Sequence, residues 1–223
     1  MTRRTIIMAV IFVVLGLAAG NLRAAIIEIG ITAEIAEIDD PYGLLNGQLD
    51  VGDGITGSYV YDSDTLDSSA EPDYGEYLYT SQPYGILLTG GGFVFQFDPD
   101  NVDLWIGIGN GYIGGDDTYS IRSYNNLPLY DDVSVGIIGW QLNDPSGTAL
   151  SSDALLATAP VLEDWYSAEG LRIDGGIPDE YGKFIESFLI RAPVTSVEVI
   201  PEPGTVMLLG LGGLVLLRIR SRK

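Results

Sequence analysis

Short stretches of alternating apolar and polar residues fill the chain between residues 27 and 191, and this pattern limits it to a fold made of β-strands. In residues 27–35 the apolar side chains occupy every second position, which is typical of a strand with one buried face. The alternation shifts phase at Ala36 and Ile38, which predicts a β-bulge there. Further strands are predicted at residues 55–61, 93–97, 102–108, 118–124, 133–142 and 184–191.

Glycine, asparagine and aspartate separate the predicted strands. The turn signals are Asn46-Gly47, Asp53-Gly54, Gly90-Gly91-Gly92, Gly114-Gly115-Asp116-Asp117, Asn143-Asp144-Pro145 and Gly175-Gly176. Only residues 152–157 and 163–168 look briefly helical, so no helix is long enough to connect parallel strands. We therefore predict an all-β fold, an antiparallel β-sandwich of which a jelly roll is one form. Residues 193–200 form either its last strand or a linker.

The N-terminal segment differs from this domain in composition. Two arginines precede an apolar stretch over residues 5–19, and small residues follow, which is the order of a secretory signal peptide. We predict a signal helix in residues 1–24, cleaved after Ala24 or alternatively after Gly20, with an uncleaved anchor as the other alternative. A signal of this kind uses the secretion translocon and exports the predicted domain, residues 25–192.

The C-terminal segment, residues 201–223, has three parts in order. Pro201-Glu202-Pro203 comes first, the uncharged apolar residues 204–217 follow, and a basic end closes the chain. The basic side chains of that end are Arg218, Arg220, Arg222 and Lys223. A helix rises about 1.5 Å per residue, so the apolar run spans roughly 21 Å, short of the ~30 Å hydrocarbon core of a bilayer. We predict a short transmembrane helix whose basic end stays in the cytoplasm.

This three-part arrangement resembles the PEP-CTERM sorting signal of Gram-negative bacteria. The resemblance implies that a membrane transpeptidase of the exosortase type processes the tail. The protein would then be exported, held transiently in the membrane, and passed to the cell surface or the extracellular space. Residues 57–62, 91–93 and 116–119 also resemble an uncharacterised domain of secreted proteins with such tails, which supports the sandwich and implies no activity.

The predicted domain is strongly acidic. Between residues 24 and 200 the chain has all but one of its 31 Asp and Glu residues and only four basic ones, a net charge of −26. That charge repels nucleic acids and anionic lipid surfaces, so neither is expected as a partner. For the same reason we expect any bound polysaccharide to be neutral, unless calcium bridges an acidic one to the domain.

Histidine and cysteine are both absent from the chain. Catalytic triads, thiol nucleophiles, disulfides and the usual zinc or copper ligand sets are therefore excluded. Paired carboxylates could cleave glycosides, but among thirty acidic residues some pair at a suitable distance is expected by chance. We predict a non-catalytic protein of the cell surface or of an exopolysaccharide-associated matrix. A carbohydrate-binding module is the alternative, and an acidic-pair glycoside hydrolase is the third hypothesis.

Two kinds of ligand site are compatible with this composition. Residues 62–67 and 98–103 carry several aspartates within one loop, as calcium sites do, although the same residues commonly begin turns and neither loop completes an EF-hand. A structural calcium is therefore an open hypothesis, and no other metal or cofactor is predicted. Trp105 has the phase opposite to the apolar residues of its strand, so it should point outward, where it could stack on a sugar ring.

Overall fold

The computed structural model describes residues 26–130 and 132–201, so the predicted signal helix and nearly all of the C-terminal segment lie outside the described residues. The described part of the chain is all-β, as predicted, and its two antiparallel sheets enclose one apolar core. Among these residues no helix is long and apolar enough to cross a membrane.

The strands form a five-stranded and a seven-stranded sheet. They are β1 (Ile26–Glu34), β2 (Glu37–Asp39), β3 (Gly54–Asp62), β4 (Tyr74–Tyr79), β5 (Gly85–Gly90), β6 (Phe93–Gln96), β7 (Leu104–Ile113), β8 (Asp116–Ser123), β9 (Ser134–Asp144), β10 (Ser167–Pro178), β11 (Phe184–Ala192) and β12 (Val194–Val199). The small sheet has the order β12-β1-β3-β5-β6. The large sheet has the order β2-β11-β10-β9-β8-β7-β4.

Large aromatic side chains join the inner faces of the two sheets. The ring of Tyr59 on β3 lies 6.1 Å from that of Trp140 on β9, and Tyr119 on β8 packs edge-on against Trp140 at 5.8 Å. The hydroxyl groups of Tyr59 and Tyr119 are hydrogen-bonded at 3.0 Å. Burial raises the pKa of both tyrosines well above the usual value, so both phenols stay protonated at neutral pH. The core thus contains a polar contact that bridges the two sheets.

The phase shift after residue 35 marks a change of sheet, and the β-bulge predicted there is wrong. β1 ends in the small sheet at Glu34, and β2 begins at Glu37 in the large sheet, where it pairs with β11. At the crossing Ile35 is buried, and the N–H of Ala36 donates to the carbonyl of Arg191 at 2.9 Å. The apolar phase changes because the core lies on the opposite side of the chain once it has changed sheets.

The interpretation of Gly175-Gly176 as a turn is also wrong, since both glycines lie inside β10. A Cβ atom on Gly176 would come within 2.9 Å of the backbone of Ser187 on β11, so the glycine permits a close approach of the two strands. Because β10 lies between β9 and β11, strands β7 to β11 are neighbours in the order of the chain and form a meander. A jelly roll is built from two Greek keys instead, so its strand order differs from the one found here.

The other predicted strands are present, with ends shifted by up to five residues, whereas β4, β5 and β10 had no predicted counterpart. Residues 193–200 form the last strand: β12 pairs with β1 at the edge of the small sheet, so the sandwich extends past the predicted boundary at residue 192. Of the two briefly helical segments, residues 152–157 contain no helix. The second overlaps a single 3-10 turn, Leu162–Asp164, which precedes β10.

Candidate functional site

Trp105 lies on the outer face of the large sheet, as the alternation predicted. Its neighbours Leu104 and Ile106 are fully buried, whereas Trp105 is half-buried. The indole N–H donates to Oε1 of Glu76 on β4, 3.1 Å away. Arg122 on β8 places its guanidinium carbon 5.3 Å from the centroid of the indole ring, which is a cation–π contact. Trp105 therefore shares the outer face with an arginine that carries no recognisable signal in the sequence.

Two tyrosines extend this aromatic surface. Tyr74 on β4 and Tyr112 on β7 stack with ring centroids 4.7 Å apart and an interplanar angle of 30°. Gly107 lies beside Trp105 and Tyr74: a Cβ atom there would come within 2.5 Å of Cζ2 of Trp105 and 2.6 Å of the Tyr74 hydroxyl. Partial burial is the main cause that raises the pKa of Tyr74, and the charges of Glu76 and Tyr112 add to the effect. The glycine lets the indole lie close against the sheet next to the tyrosine pair.

Three arginines form a row across the large sheet. Arg122 on β8 and Arg172 on β10 both pair with Gly139 of the intervening strand β9, and Arg172 pairs in turn with Arg191 on β11. Trp105 pairs with Arg122 and begins the row. Directly paired residues of neighbouring strands project from the same face, and all three arginines are exposed. We call these three side chains the arginine row.

The arginine row borders an open groove of about 560 Å³ on the outer face. Gly139 and Gly170 contribute to the lining of the groove without side chains, and Ser120 and Gln141 line it on neighbouring strands. The amide nitrogen of Gln141 donates to Oδ1 of Asn143 at 2.8 Å. The groove therefore combines cationic, amide and hydroxyl groups over a floor that is partly bare backbone.

The arginines in the row differ in their ion pairs. The Nε of Arg172 donates to Oδ2 of Asp174 at 2.8 Å, which leaves its two terminal nitrogens outside that bond. Arg191 lies 3.7 Å from the nearest carboxylate oxygen of Glu37. Within the described residues Arg122 has no carboxylate at ion-pair distance. Each guanidinium thus has N–H groups that no ion pair among the described residues occupies.

Two buried carboxylates, Asp117 and Asp144, face each other across β8 and β9. Asp117 accepts the N–H of Leu150 at 2.7 Å, and Asp144 accepts the hydroxyl and N–H of Ser146 together with the N–H of Thr148. These hydrogen bonds lower the pKa of Asp144 well below its usual value, and the hydroxyl of Ser146 makes the largest contribution. Both carboxylates therefore fix the loop that follows β9.

In the two aspartate-rich loops the first carboxylate binds the backbone of its own turn. Oδ1 of Asp62 accepts the N–H of Asp64 at 2.9 Å, and Oδ1 of Asp98 accepts the N–H of Asp100 at the same distance. Within residues 26–130 and 132–201 no three acidic side chains converge as a metal site would require. This geometry is that of turn-forming aspartates, and it assigns no calcium site to either loop.

The C-terminal segment leaves the domain at the edge of the small sheet. β12 runs antiparallel to β1, and after its last residue the N–H of Ile200 donates to the carbonyl of Glu28 at 2.8 Å. Pro201 follows and is exposed. Because β1 begins at Ile26, the two ends of the domain emerge side by side.

The rest of the predicted sorting signal, Glu202, Pro203 and the four basic residues from position 218 onward, lies outside the described residues. A family model for the PEP-CTERM protein-sorting motif matches residues 199–223. The chain carries a PEP-CTERM sorting motif. Such a motif implies export, transient membrane anchoring and processing by an exosortase, a membrane transpeptidase. The match begins at the last residue of β12, so the motif starts where the sandwich ends. No curated protein and no solved structure gives a significant match.

Proposed function

We propose that the protein is an exported, membrane-routed and non-catalytic component of the cell surface or of an exopolysaccharide-associated matrix. The PEP-CTERM motif at residues 199–223 carries this proposal. The position of the motif supports it, because Pro201 is exposed at the end of an edge strand and lies beside the start of β1. Both ends of the domain can therefore approach one membrane from the same side while the tail is attached.

The non-catalytic part of the proposal is supported by the state of the buried acids. An acidic-pair glycoside hydrolase needs one carboxylic acid that is protonated at working pH, and this requires a raised pKa. Asp144 has a lowered pKa, and Asp117 accepts a backbone N–H with each of its two oxygens. The hydrogen bonds of Asp144 favour its ionised form. Asp117 binds backbone N–H groups with both oxygens, so both side chains suit anchors for loops better than a general acid.

Replacing Glu202 with alanine tests the sorting route. We expect the wild-type protein to be cut and to leave the membrane fraction, whereas the Glu202→Ala protein keeps its full length and stays in the membrane. Glu198→Ala is the matched control, since Glu198 is an exposed residue of β12 that precedes the matched motif. Fractionation followed by immunoblotting measures both outcomes. Equal release of the wild type and the Glu202→Ala variant would contradict the proposed route.

The outer face of the large sheet favours a second candidate, a carbohydrate-binding module. The stacked pair of Tyr74 and Tyr112 lies there, and Trp105 contacts Arg122, which lines the groove. Aromatic rings with one polar edge are suited to contact sugars, whose faces are apolar and whose edges carry hydroxyl groups. In this candidate function the domain would hold the exported protein on a polysaccharide, and Trp105 would contact the glycan.

A further inference from the structure

The basic side chains of the acidic domain are unevenly distributed. Arg122, Arg172 and Arg191 line one groove, and the fourth, Lys183, is exposed in the turn between β10 and β11. Thirty acidic residues share the domain with these four. Basic side chains that served only to reduce repulsion between the carboxylates would be effective anywhere on such a surface. Their clustering at one groove therefore suggests a function of the groove itself.

The strand register makes this concentration costly without a ligand. Arg172 and Arg191 are directly paired on neighbouring strands, and like charges in that position destabilise a sheet. Asp174 offsets part of this repulsion at the Nε of Arg172, and Glu37, which is directly paired with Arg191 on its other side, offsets part of it at 3.7 Å. An anion placed in the groove would offset the remaining repulsion.

We propose that the arginine row binds the carboxylate groups of an acidic polysaccharide that lies in the groove. The inference rests on the proposed role of the domain as a carbohydrate-binding module and specifies the class of its ligand. Arg122 and Arg172 are paired with Gly139 from either side, and Gly139 has no side chain, so a carboxylate above the glycine would lie between the two arginines. Guanidinium groups match the geometry of a carboxylate and bind it through two parallel hydrogen bonds.

The neighbourhood of the row favours a sugar as the carrier of the carboxylate. Ser120 and Gln141 offer neutral hydrogen-bonding groups along the groove, which suit the hydroxyl groups of a sugar ring. Trp105 stands at the end of the row, and the guanidinium of Arg122 lies over its indole ring, so Trp105 helps to hold that arginine in place. The groove is open, so a chain can lie along it.

The arginine row can attract an anion although the domain as a whole is acidic. Electrostatic interactions between exposed groups are screened beyond about 8 Å at physiological ionic strength, so the arginine row acts locally despite the net charge of the domain. The expectation of a neutral glycan assumed that the negative charge is spread evenly over the domain. The three arginines lie together at one groove, and for this reason we propose an acidic glycan instead.

Binding of the full-length protein, purified in detergent, to polygalacturonate tests the proposal. Its methyl ester is the matched probe, because it has the same sugar chain without the carboxylate charge. We expect calorimetry at physiological salt to show binding of the acid and little binding of the ester. Arg122→Gln and Arg172→Gln should each weaken binding roughly tenfold or more, as expected for the loss of a charge-assisted hydrogen bond. Trp105→Ala should also weaken it.

Lys183→Gln is the control variant, since it removes the same charge away from the groove and should change affinity less than about twofold. Melting temperatures of all variants show whether each remains folded. Four results would overturn the proposal: equal binding of acid and ester, equal weakening by Lys183→Gln, no binding, or tighter binding of a DNA fragment than of polygalacturonate. Release of the Arg172→Gln protein from the membrane in cells is measured in a separate experiment. A negative result in the binding experiment therefore does not contradict the proposed sorting route.

Discussion

At the scale of single residues, the acidic side chains fall into two groups. Most are exposed and contribute to the negative surface, whereas Asp117 and Asp144 are almost fully buried in the described structure. A buried carboxylate is tolerated only when hydrogen bonds replace its lost hydration. Asp144 obtains them from Ser146 and Thr148, which lie two and four residues further along the chain.

The hydrogen bonds of Asp144 make the stability of the domain depend on pH. They lower its pKa in the folded protein below the value of about 3.9 found in unfolded chains. The stabilisation is therefore fully present above that value and is lost as the pH falls toward the folded pKa. We expect Asp144→Asn to lower the free energy of unfolding at pH 7 and to flatten its decline in acid. Urea unfolding at several pH values measures both effects.

Asp100→Asn is the control for this prediction, because Asp100 is exposed and only its backbone N–H takes part in the neighbouring turn. It should leave the pH dependence unchanged. Parallel pH profiles for the wild type and Asp144→Asn would show that the carboxylate of Asp144 contributes nothing.

Single residues also show what a sequence can and cannot predict about a site. The outward direction of Trp105 follows from alternation within one strand, which is a local property. The arginine row depends on the register between four strands, and that register joins residues far apart in the chain. No local pattern marks Arg122 or Arg172, so the row and its groove emerge only from the fold.

At the scale of secondary-structure elements, strands with clean alternation were predicted and strands without it were missed. In β4 apolar residues occupy both faces, and β10 contains Gly175-Gly176, which has the composition of a turn. In the structure the glycines in β10 do not form a turn; because they have no side chains, they allow β11 to pack close to β10. The phase shift between β1 and β2 was visible in the sequence, but periodicity alone does not distinguish a bulge from a change of sheet.

The role of Gly176 can be tested by adding one methyl group. Its Cβ atom would meet the backbone of β11, so we expect Gly176→Ala to cost about 1–3 kcal/mol of stability, as overpacking does. Gly54→Ala is the matched control in β3, because nothing lies within 4 Å of its added Cβ atom. It should be neutral or slightly stabilising. Equal melting temperatures for the two variants would contradict the close approach of β10 and β11.

At the scale of the whole molecule, the fold places the ends of the domain together. β12 and β1 pair at the edge of the small sheet, and the sorting motif begins at Val199. The sandwich is therefore complete before the Pro-Glu-Pro, and removal of the residues that follow Pro203 leaves every described strand intact. Because no described strand depends on the tail, the same folded domain can exist first as a membrane-anchored protein and then as a released one.

The mass of the mature protein tests this account most directly. Protein recovered from the extracellular fraction of the native host should lack the apolar run and basic end, residues 204–223, because we propose that the sorting enzyme cuts at the Pro-Glu-Pro motif. Intact-mass spectrometry and sequencing of the C-terminal peptide measure the cleavage point. A mature C-terminus within or next to residues 201–203 is the predicted result. Extracellular protein that ends at Lys223, or protein found only in the membrane at full length, would contradict the account.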